Sequence, residues 1–292
     1  MSTESHVILV SGASRGLGRH ITEAALNAGH RVVAGARTTS ALDDIALAHP
    51  DRLAIVELDV ANDDHVRAAI ATALDRFGRL DVLVNNAGYA NMGAIEDVDF
   101  EDFRAQVDTN FFGVVRLTRA ALPIMRAQRN GHIVQVSSVG GRMARPGLAA
   151  YQSSKWAVTG FSGVLAQEVA PLGIKVTVLE PGGMRTDWAG SSMRIDPVRE
   201  DYESTVGAAA ALSNSTSIGA SDPAKVAALL LEIVDMAEPP HRLLVGPDAF
   251  RYGTAAGRNL LAADEQHEQL SVSTAADDAT ADQLDPLASR GR

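Results

Sequence analysis

The chain has 292 residues, of which 26 are Lys or Arg and 36 are Asp or Glu, so its formal net charge is −10. It contains no cysteine, which excludes disulfides, iron–sulfur ligation, thiolate zinc sites and cysteine nucleophiles. An isoelectric point near 5.2 argues against a nucleic-acid partner, because phosphate binding requires a basic face. The first residues lack a signal-peptide pattern and no apolar run is long enough to span a bilayer. We therefore expect a cytoplasmic protein without a membrane partner.

Short β-branched runs alternate with longer helical patterns along most of the chain. The predicted strands are residues 6–11, 31–35, 53–58, 80–85, 131–138, 174–180 and 241–246. The predicted helices are residues 15–28, 38–48, 62–77, 100–129, 150–170 and 222–235. The strand cores are nearly continuously apolar, as in strands covered on both faces. This order predicts a single α/β domain of the Rossmann type, a doubly wound, seven-stranded parallel sheet flanked by helices.

Two segments depart from this alternation. Residues 184–220 are rich in Gly, Ser, Thr and Asn, and we predict a loop that covers a substrate. Residues 262–292 carry seven acidic and two basic side chains and have few large apolar residues. Such a stretch cannot bury enough apolar surface to offset the conformational entropy that it would lose on folding. We therefore predict a domain over residues 1–261 and a mobile, acidic tail over residues 262–292.

The turn after the first predicted strand is rich in glycine. Gly12 permits a tight turn, Gly16 a close backbone approach to a pyrophosphate, and Gly18 close packing of the helix on the strand. The helix N-terminus offers unpaired N–H groups to an anion. Three residues separate the first two glycines, where the common dinucleotide fingerprint has one. The predicted dinucleotide contacts of this turn are Gly12, Ser14, Arg15, Gly16, Leu17 and Gly18.

The residues after the second predicted strand bear on the choice of cofactor. A site that prefers NAD commonly places a carboxylate there, on the ribose 2′-hydroxyl. This chain has Arg37 instead, and Arg15 in the glycine turn is a second cation nearby. Two guanidinium groups would attract a 2′-phosphate. We expect NADP(H) as the preferred cofactor, with NAD(H) as the alternative.

Tyr151 and Lys155 lie four residues apart in a predicted helix and therefore share a face. A nearby ammonium favours the phenolate, so we predict that Lys155 lowers the Tyr151 pKa toward the range useful for acid–base catalysis. The same spacing also occurs in ordinary surface pairs. Ser138 is the last residue of the preceding predicted strand. A hydroxyl at the carboxyl end of a strand in such a sheet faces the crevice that binds ligands.

These motifs together resemble those of the short-chain dehydrogenase/reductase family, over residues 7 to about 246. They are the glycine turn, Asp59 and Val60, "NNAG" at 85–88, Asn110, Ser138, Tyr151, Lys155 and "PGGMRT" at 181–186. One departure is mild, because Ser11 stands where the family usually has threonine and keeps the hydroxyl. Segments 180–192 and 239–249 resemble a subgroup called 17β-hydroxysteroid-dehydrogenase-like, from which we infer no steroid substrate.

The resemblance implies an NAD(P)(H)-dependent oxidoreductase that interconverts a ketone or aldehyde and an alcohol by hydride transfer. Tyr151 would be the general acid or base, and Ser138 would hydrogen-bond the same substrate oxygen. Lys155 would hold the nicotinamide ribose and Asn110 a water in a proton relay. Further cofactor contacts are implied for Asp59, Val60, Asn86, Ala87, Gly88, Pro181, Gly182 and Thr186.

The substrate pocket is expected to be mainly apolar. The predicted substrate-binding residues are Ser138, Met143, Tyr151, Met184 and Trp188. The methionines and the tryptophan favour an apolar carbonyl or alcohol substrate. Because Arg142, Arg145 and Arg185 are positively charged, a substrate with an acidic substituent stays an alternative.

Other classes of function fit the sequence less well. The main alternative is a non-catalytic dinucleotide-binding redox sensor, but such proteins usually lose the tyrosine or the lysine and this chain keeps both. An epimerase or dehydratase would have a different glycine spacing and a larger C-terminal domain. A hydrolase built on Ser138 would need a G-x-S-x-G elbow, which is missing.

The remaining predictions concern metals and assembly. The eight histidines form no pair at i, i+3 or i, i+4, so no metal site is predicted. The family resemblance implies a homodimer or homotetramer assembled through helices 100–129 and 150–170. The first of these is apolar on more than one side, and Pro123 is predicted to kink it or to mark an irregular turn.

Overall fold

Seven strands form one parallel sheet in the computed structural model, which describes residues 5–186, 193–215 and 219–287. Its strands are β1 (Val7–Ser11), β2 (Arg31–Ala36), β3 (Leu53–Glu57), β4 (Val82–Asn85), β6 (Gly131–Val136), β7 (Ile174–Pro181) and β9 (Arg242–Val245). Their order in the sheet is β3-β2-β1-β4-β6-β7-β9. A separate parallel pair, β5 (Ala90–Met92) with β8 (Met193–Ile195), has no counterpart in the sequence prediction. The predicted fold class is confirmed.

Alternate residues of β1, an interior strand of the sheet, belong to different hydrophobic cores. Ile8 and Val10 join one buried cluster, and Val7 and Leu9 join the other. Because successive side chains of a strand point to opposite faces, the sheet is buried on both sides. This explains why its strands are apolar throughout rather than alternating.

Helices cover both faces of the sheet. The α-helices of the described chain are α1 (Gly16–Asn27), α2 (Asp43–Ala48), α3 (Asp63–Phe77), α4 (Phe100–Val107), α5 (Gly113–Gln128), α6 (Ala149–Val169), α7 (Ala208–Ser215), α8 (Pro223–Asp235), α9 (Pro247–Gln266), α10 (Glu268–Val272) and α11 (Ala281–Leu284). Asn62 caps α3, because its side chain accepts hydrogen bonds from the backbone N–H groups of Asp64 and His65. The neighbouring aspartates are therefore part of a helix start.

The single helix predicted over residues 100–129 is interrupted. A π-helical turn, Asp108–Phe112, separates α4 from α5. Pro123 lies inside α5, which continues to Gln128. The irregular turn of this region is therefore the π turn at Asp108–Phe112, and it does not lie at the proline. The side chain of Asn110, within the π turn, is held by backbone groups outside the helix, which helix periodicity does not encode.

The chain divides into two compact units, Met1–Gly253 and Thr254–Arg292. The second unit contains the end of α9 together with α10 and α11, and its described side chains are almost all exposed. Helix-forming residues such as Ala, Gln and Glu account for these helices, which the composition argument did not predict. The domain boundary at residue 261 and the mobility of the tail stay predictions. Among the described helices, none is both long and apolar enough to cross a bilayer.

Candidate functional site

The glycine turn connects β1 to α1 at the carboxyl end of the sheet. Gly12 and Gly16 have positive φ angles of 68° and 53°, which side chains strain to adopt. A Cβ on Gly18 would lie 2.2 Å from the carbonyl oxygen of Gly12, so a larger residue cannot fit. A Cβ on Gly16 would lie 3.8 Å from the Cβ of Thr186, which places the segment after β7 beside this turn. The turn and the α1 N-terminus form a cradle of the kind that suits an anion.

Ser11 ties this turn to the end of β4, a role that the sequence did not predict. Its Oγ accepts hydrogen bonds from the backbone N–H groups of Asn86, at 3.0 Å, and Ala87, at 3.1 Å. The Asn86 side-chain amide in turn donates to the carbonyl oxygen of Ser11 at 3.0 Å. The only sequence signal was the hydroxyl directly before the first glycine.

A cleft of about 1740 Å³ runs along the carboxyl ends of the strands. Most of the predicted site residues line it. They are Gly12, Ser14, Arg15, Gly16, Leu17, Arg37, Asp59, Val60, Asn86, Ala87, Gly88, Ser138, Met143, Tyr151, Lys155, Pro181, Gly182, Met184 and Thr186. Gly18 and the fully buried Asn110 lie behind the lining, and Trp188 lies outside the described residues.

Ser138 and Tyr151 meet in this cleft. Strand β6 ends at Val136, so Ser138 does not close the strand as predicted but lies two residues beyond it. There it starts the 3₁₀ turn Val139–Gly141, and its Oγ accepts a hydrogen bond from the Gly140 N–H at 3.0 Å. The Tyr151 hydroxyl is hydrogen-bonded to Ser138. The turn therefore holds the serine hydroxyl against the phenol.

The predicted lowering of the Tyr151 pKa is wrong for this structure. Burial raises the pKa of Tyr151, and the hydrogen bond with Ser138 opposes that shift only in part. The Lys155 ammonium lies on the same face of α6, 5.8 Å from the centre of the tyrosine ring. It donates to the Val136 carbonyl oxygen at 2.8 Å. Desolvation of the phenolate, which helix spacing cannot reveal, therefore sets the direction of the Tyr151 pKa shift.

Burial also sets the charge of Lys155, lowering its pKa from 10.5 to about 8. At a pH between the folded-state pKa of about 8 and the ordinary value of 10.5, Lys155 has lost its proton in the folded protein but still carries it in the unfolded chain. The unfolded state then binds more protons, so stability rises with pH in this window. We expect the free energy of unfolding of the wild type to rise relative to that of Lys155→Met as pH increases above about 8. Denaturant titrations at several pH values measure this, and parallel profiles for the two proteins would contradict it.

Asn110 is fully buried in the π turn. Its side-chain amide donates to the Tyr89 carbonyl oxygen at 2.8 Å, and its Oδ1 accepts from the Tyr89 N–H at 3.0 Å. A Cβ on Gly88 would lie 3.1 Å from Oδ1 of Asn110 and 3.7 Å from Nζ of Lys155. The glycine thus leaves space between the asparagine and the lysine. The water relay between them stays a prediction.

A buried ion-pair cluster supports the Ser138 turn. Glu180, the penultimate residue of β7, is fully buried. Its two carboxylate oxygens pair with Arg142 and with Arg242, at 2.5 Å each. Arg142 directly follows the Val139–Gly141 turn, so the cluster joins that turn to two strands. The sequence signal was a carboxylate at the end of an otherwise apolar strand.

The lining of the cleft that contains Ser138 and Tyr151 is more apolar than polar. Its apolar side chains include Met143, Leu148, Met184, Met193 and Leu212. The last three come from the segment predicted as a covering loop, whose described part contains β8, two short helical turns and α7. Its role as a cover stays a prediction. Within the described parts of the chain, no cluster of His, Asp or Glu could hold a metal ion.

Comparison with known proteins agrees with this geometry. The family model described as short chain dehydrogenase matches residues 6–195. The chain belongs to the short-chain dehydrogenase family. It is 53% identical to oxidoreductase BOA17 of Botryotinia fuckeliana over 91% of this chain and 98% of that protein. This short-chain dehydrogenase is thus an oxidoreductase of class EC 1.1.1.-, and its assignment to the 17β-hydroxysteroid-dehydrogenase-like subgroup stays a prediction.

Solved structures give the same result. A short-chain dehydrogenase from Streptomyces avermitilis is 40% identical, with a TM-score of 0.89 over 94% of this chain and 100% of that one. One from Burkholderia cenocepacia in complex with NADP is 26% identical, with a TM-score of 0.71 over 91% and 98% of the two chains. The 3-ketoacyl-(acyl-carrier-protein) reductase of Brucella melitensis, complexed with NADH, is 28% identical, with a TM-score of 0.68 over 80% and 92%.

Proposed function

We propose that this short-chain dehydrogenase interconverts a ketone or aldehyde and an alcohol, with Tyr151 as the general acid or base. The observation that carries the proposal is the hydrogen bond between Tyr151 and Ser138 in the cleft, one helical turn from Lys155. A proton donor and a second hydroxyl directed at one point suit a carbonyl oxygen.

The cofactor proposed is a nicotinamide dinucleotide. The glycine turn and the N-terminus of α1 would hold its pyrophosphate, and the structural relatives bound to NADP and to NADH support this. Asp59, Val60 and the residues after β4 and β7 would hold its two ends. When bound, the reduced nicotinamide supplies a hydride to the carbonyl carbon.

The protein residues supply the proton and stabilise the charge. Because burial raises the Tyr151 pKa, the phenol keeps its proton near neutral pH and donates it to the carbonyl oxygen during reduction. Ser138 donates a hydrogen bond to the same oxygen as negative charge develops there. Lys155, which is protonated below about pH 8, stabilises the tyrosinate that remains. The tyrosinate then takes a proton from solvent through the proposed Asn110 relay.

A preference for NADPH is proposed from the charges at the adenosine end of the cleft. Arg15 and Arg37 are exposed and line this end. We expect Arg37→Asp to raise the KM for NADPH at least about tenfold, because a charge-assisted hydrogen bond to the 2′-phosphate is replaced by repulsion. The KM for NADH should stay the same or fall. A wild-type enzyme that favours NADH would contradict the preference.

A screen of NADPH oxidation against ketones, aldehydes and quinones tests the reaction itself. The lining of the cleft favours substrates with an apolar body. We expect turnover of at least one class of carbonyl compound by the wild type and turnover at least about 100-fold slower by Tyr151→Phe. A variant that keeps more than about a tenth of the wild-type rate would refute the assignment of Tyr151. The relatives named above are dehydrogenases, reductases and oxidoreductases, so they lend no support to a non-catalytic regulator.

A homodimer or homotetramer is proposed as the working assembly. Exposed apolar side chains on and between α4, α5 and α6 support it, among them Phe100, Phe112, Trp156 and Val164. Burial of this surface against a second copy would remove it from water. Light scattering at micromolar concentration tests the assembly, and a monomer would contradict it. The cytoplasmic location stays a prediction.

A further inference from the structure

Arg145 lies close to the proposed reaction centre and lines the same cleft as Ser138 and Tyr151. Its backbone N–H donates to Oε1 of Gln152 at 2.8 Å, and Nε2 of Gln152 donates to the Met143 carbonyl oxygen at 2.9 Å. Gln152 is the residue after Tyr151. The segment that carries Arg145 is therefore fixed to the helical turn that carries the proposed acid.

The Arg145 guanidinium is held from a second side by α7. Its Nη2 donates to the Ala209 carbonyl oxygen at 2.6 Å and to Oγ of Ser213 at 3.0 Å. Ala209 packs in one hydrophobic cluster with Leu148 and Tyr151, so the guanidinium and the tyrosine ring border the same turn of α7. These two bonds use the hydrogens of Nη2, which leaves the three N–H groups of Nε and Nη1.

Arg145 differs from the other arginines considered for an acidic substituent. Arg142 is neutralised by Glu180, and Arg185 is exposed, lies outside the cleft lining and donates to the Gly219 carbonyl oxygen. Arg194 lines the cleft but pairs with two aspartates. Across the described residues, no carboxylate forms an ion pair with Arg145, although it is partly buried and burial lowers its pKa. A cation in this position is costly unless an anion joins it.

We propose that Arg145 binds a carboxylate of the substrate, and that the substrate is an oxo acid with an apolar body. This inference rests on the proposed carbonyl reduction. The apolar lining would take the hydrocarbon, Tyr151 and Ser138 the carbonyl oxygen, and an N–H of Nη1 of Arg145 one carboxylate oxygen. A charge-assisted hydrogen bond from a guanidinium to a carboxylate is roughly twice as strong as a neutral one. Arg145 is thus a specificity-determining residue that takes no part in the proton transfer.

A comparison of oxo acids with their methyl esters tests this. We expect the wild type, with NADPH, to show a kcat/KM about 10- to 100-fold higher for the acid than for the ester in a series of aliphatic oxo acids of increasing carbonyl-to-carboxylate separation. Arg145→Gln should lose this preference yet still reduce the ester, because glutamine can donate to the Ala209 carbonyl oxygen. Arg145→Lys should retain part of the preference. Arg185→Gln, the matched control, should retain it in full.

A second measurement does not require turnover. Saturated carboxylic acids of the same lengths, without a carbonyl group, should raise the Tm of the NADP-loaded wild type and not that of Arg145→Gln, while their methyl esters should have no such effect. If nothing is reduced but the acids still stabilise the wild type through Arg145, the proposed reaction fails and the carboxylate site stands. If esters and acids are handled alike, or Arg145→Gln lowers both equally, Arg145 only tethers α7 and the inference is overturned.

Discussion

Replacing Tyr151 with phenylalanine is expected to lower kcat for carbonyl reduction by about 10²- to 10⁴-fold, the usual contribution of a positioned general acid. The phenol is the group that donates the proton, and Ser138 cannot replace it because an aliphatic hydroxyl is a much weaker acid than a phenol. The ring stays in place, since it packs with Leu148 and Ala209. Binding of NADPH should therefore change little. Rates of NADPH oxidation and titration of NADPH fluorescence measure the two quantities separately.

Tyr202→Phe is the matched control for this experiment. Its hydroxyl also forms a hydrogen bond, donating to Glu96 at 2.8 Å, but it lies outside the cleft lining. Loss of this hydroxyl should leave kcat unchanged. If Tyr151→Phe keeps more than about a tenth of the wild-type rate, the assignment of Tyr151 as the acid is wrong.

Replacing Glu180 with glutamine is expected to lower the free energy of unfolding by about 3–5 kcal/mol. Glutamine has nearly the same volume, so the loss comes from charge: the Arg142 and Arg242 guanidinium groups lose the carboxylate that neutralises both. These arginines are only 27% and 36% exposed, so water compensates them incompletely. Denaturant titration of the full chain measures the effect.

Glu23→Gln supplies the comparison for Glu180→Gln. Glu23 pairs with Arg19 one turn earlier on the surface of α1, and such pairs contribute about 1 kcal/mol or less. Equal losses of stability for the two variants would show that the buried cluster contributes no more than a surface pair. Because Arg142 follows the Ser138 turn, Glu180→Gln should also lower kcat, which the surface variant should not.

The sheet was predictable because its information is local. Each strand of a parallel sheet with both faces covered needs a short apolar run, and each crossover needs a helix, so their alternation along the chain indicates the topology. The ends of the elements were less accurate. Strand β6 stops at Val136 and not at Ser138, and the helix predicted over residues 100–129 contains the π turn Asp108–Phe112. Both differences depend on hydrogen bonds to groups distant in the sequence or outside the element.

Most cleft residues were predictable for a similar reason. The ends of parallel strands meet at one edge, so motifs that follow successive strands come together there. What the motifs did not contain was the support around them. Glu180 lies 38 and 62 residues from its two arginine partners, and the Ser11 hydroxyl lies 75 residues from the Asn86 N–H that it binds. No local pattern relates residues at such separations.

The sequence by itself determined the fold class, the order of the motifs and the presence of a tyrosine and a lysine on one helical face, since all three follow from composition and short periodicities. Only the tertiary structure decided their chemistry. Burial raises the Tyr151 pKa and lowers that of Lys155, the reverse of what helix spacing suggested for the tyrosine. It also decided which arginine is available to a substrate, because only folding shows that Arg142 meets Glu180 whereas Arg145 meets backbone and hydroxyl oxygens. Desolvation and charge pairing depend on neighbours that the fold brings together, and these neighbours are distant along the chain.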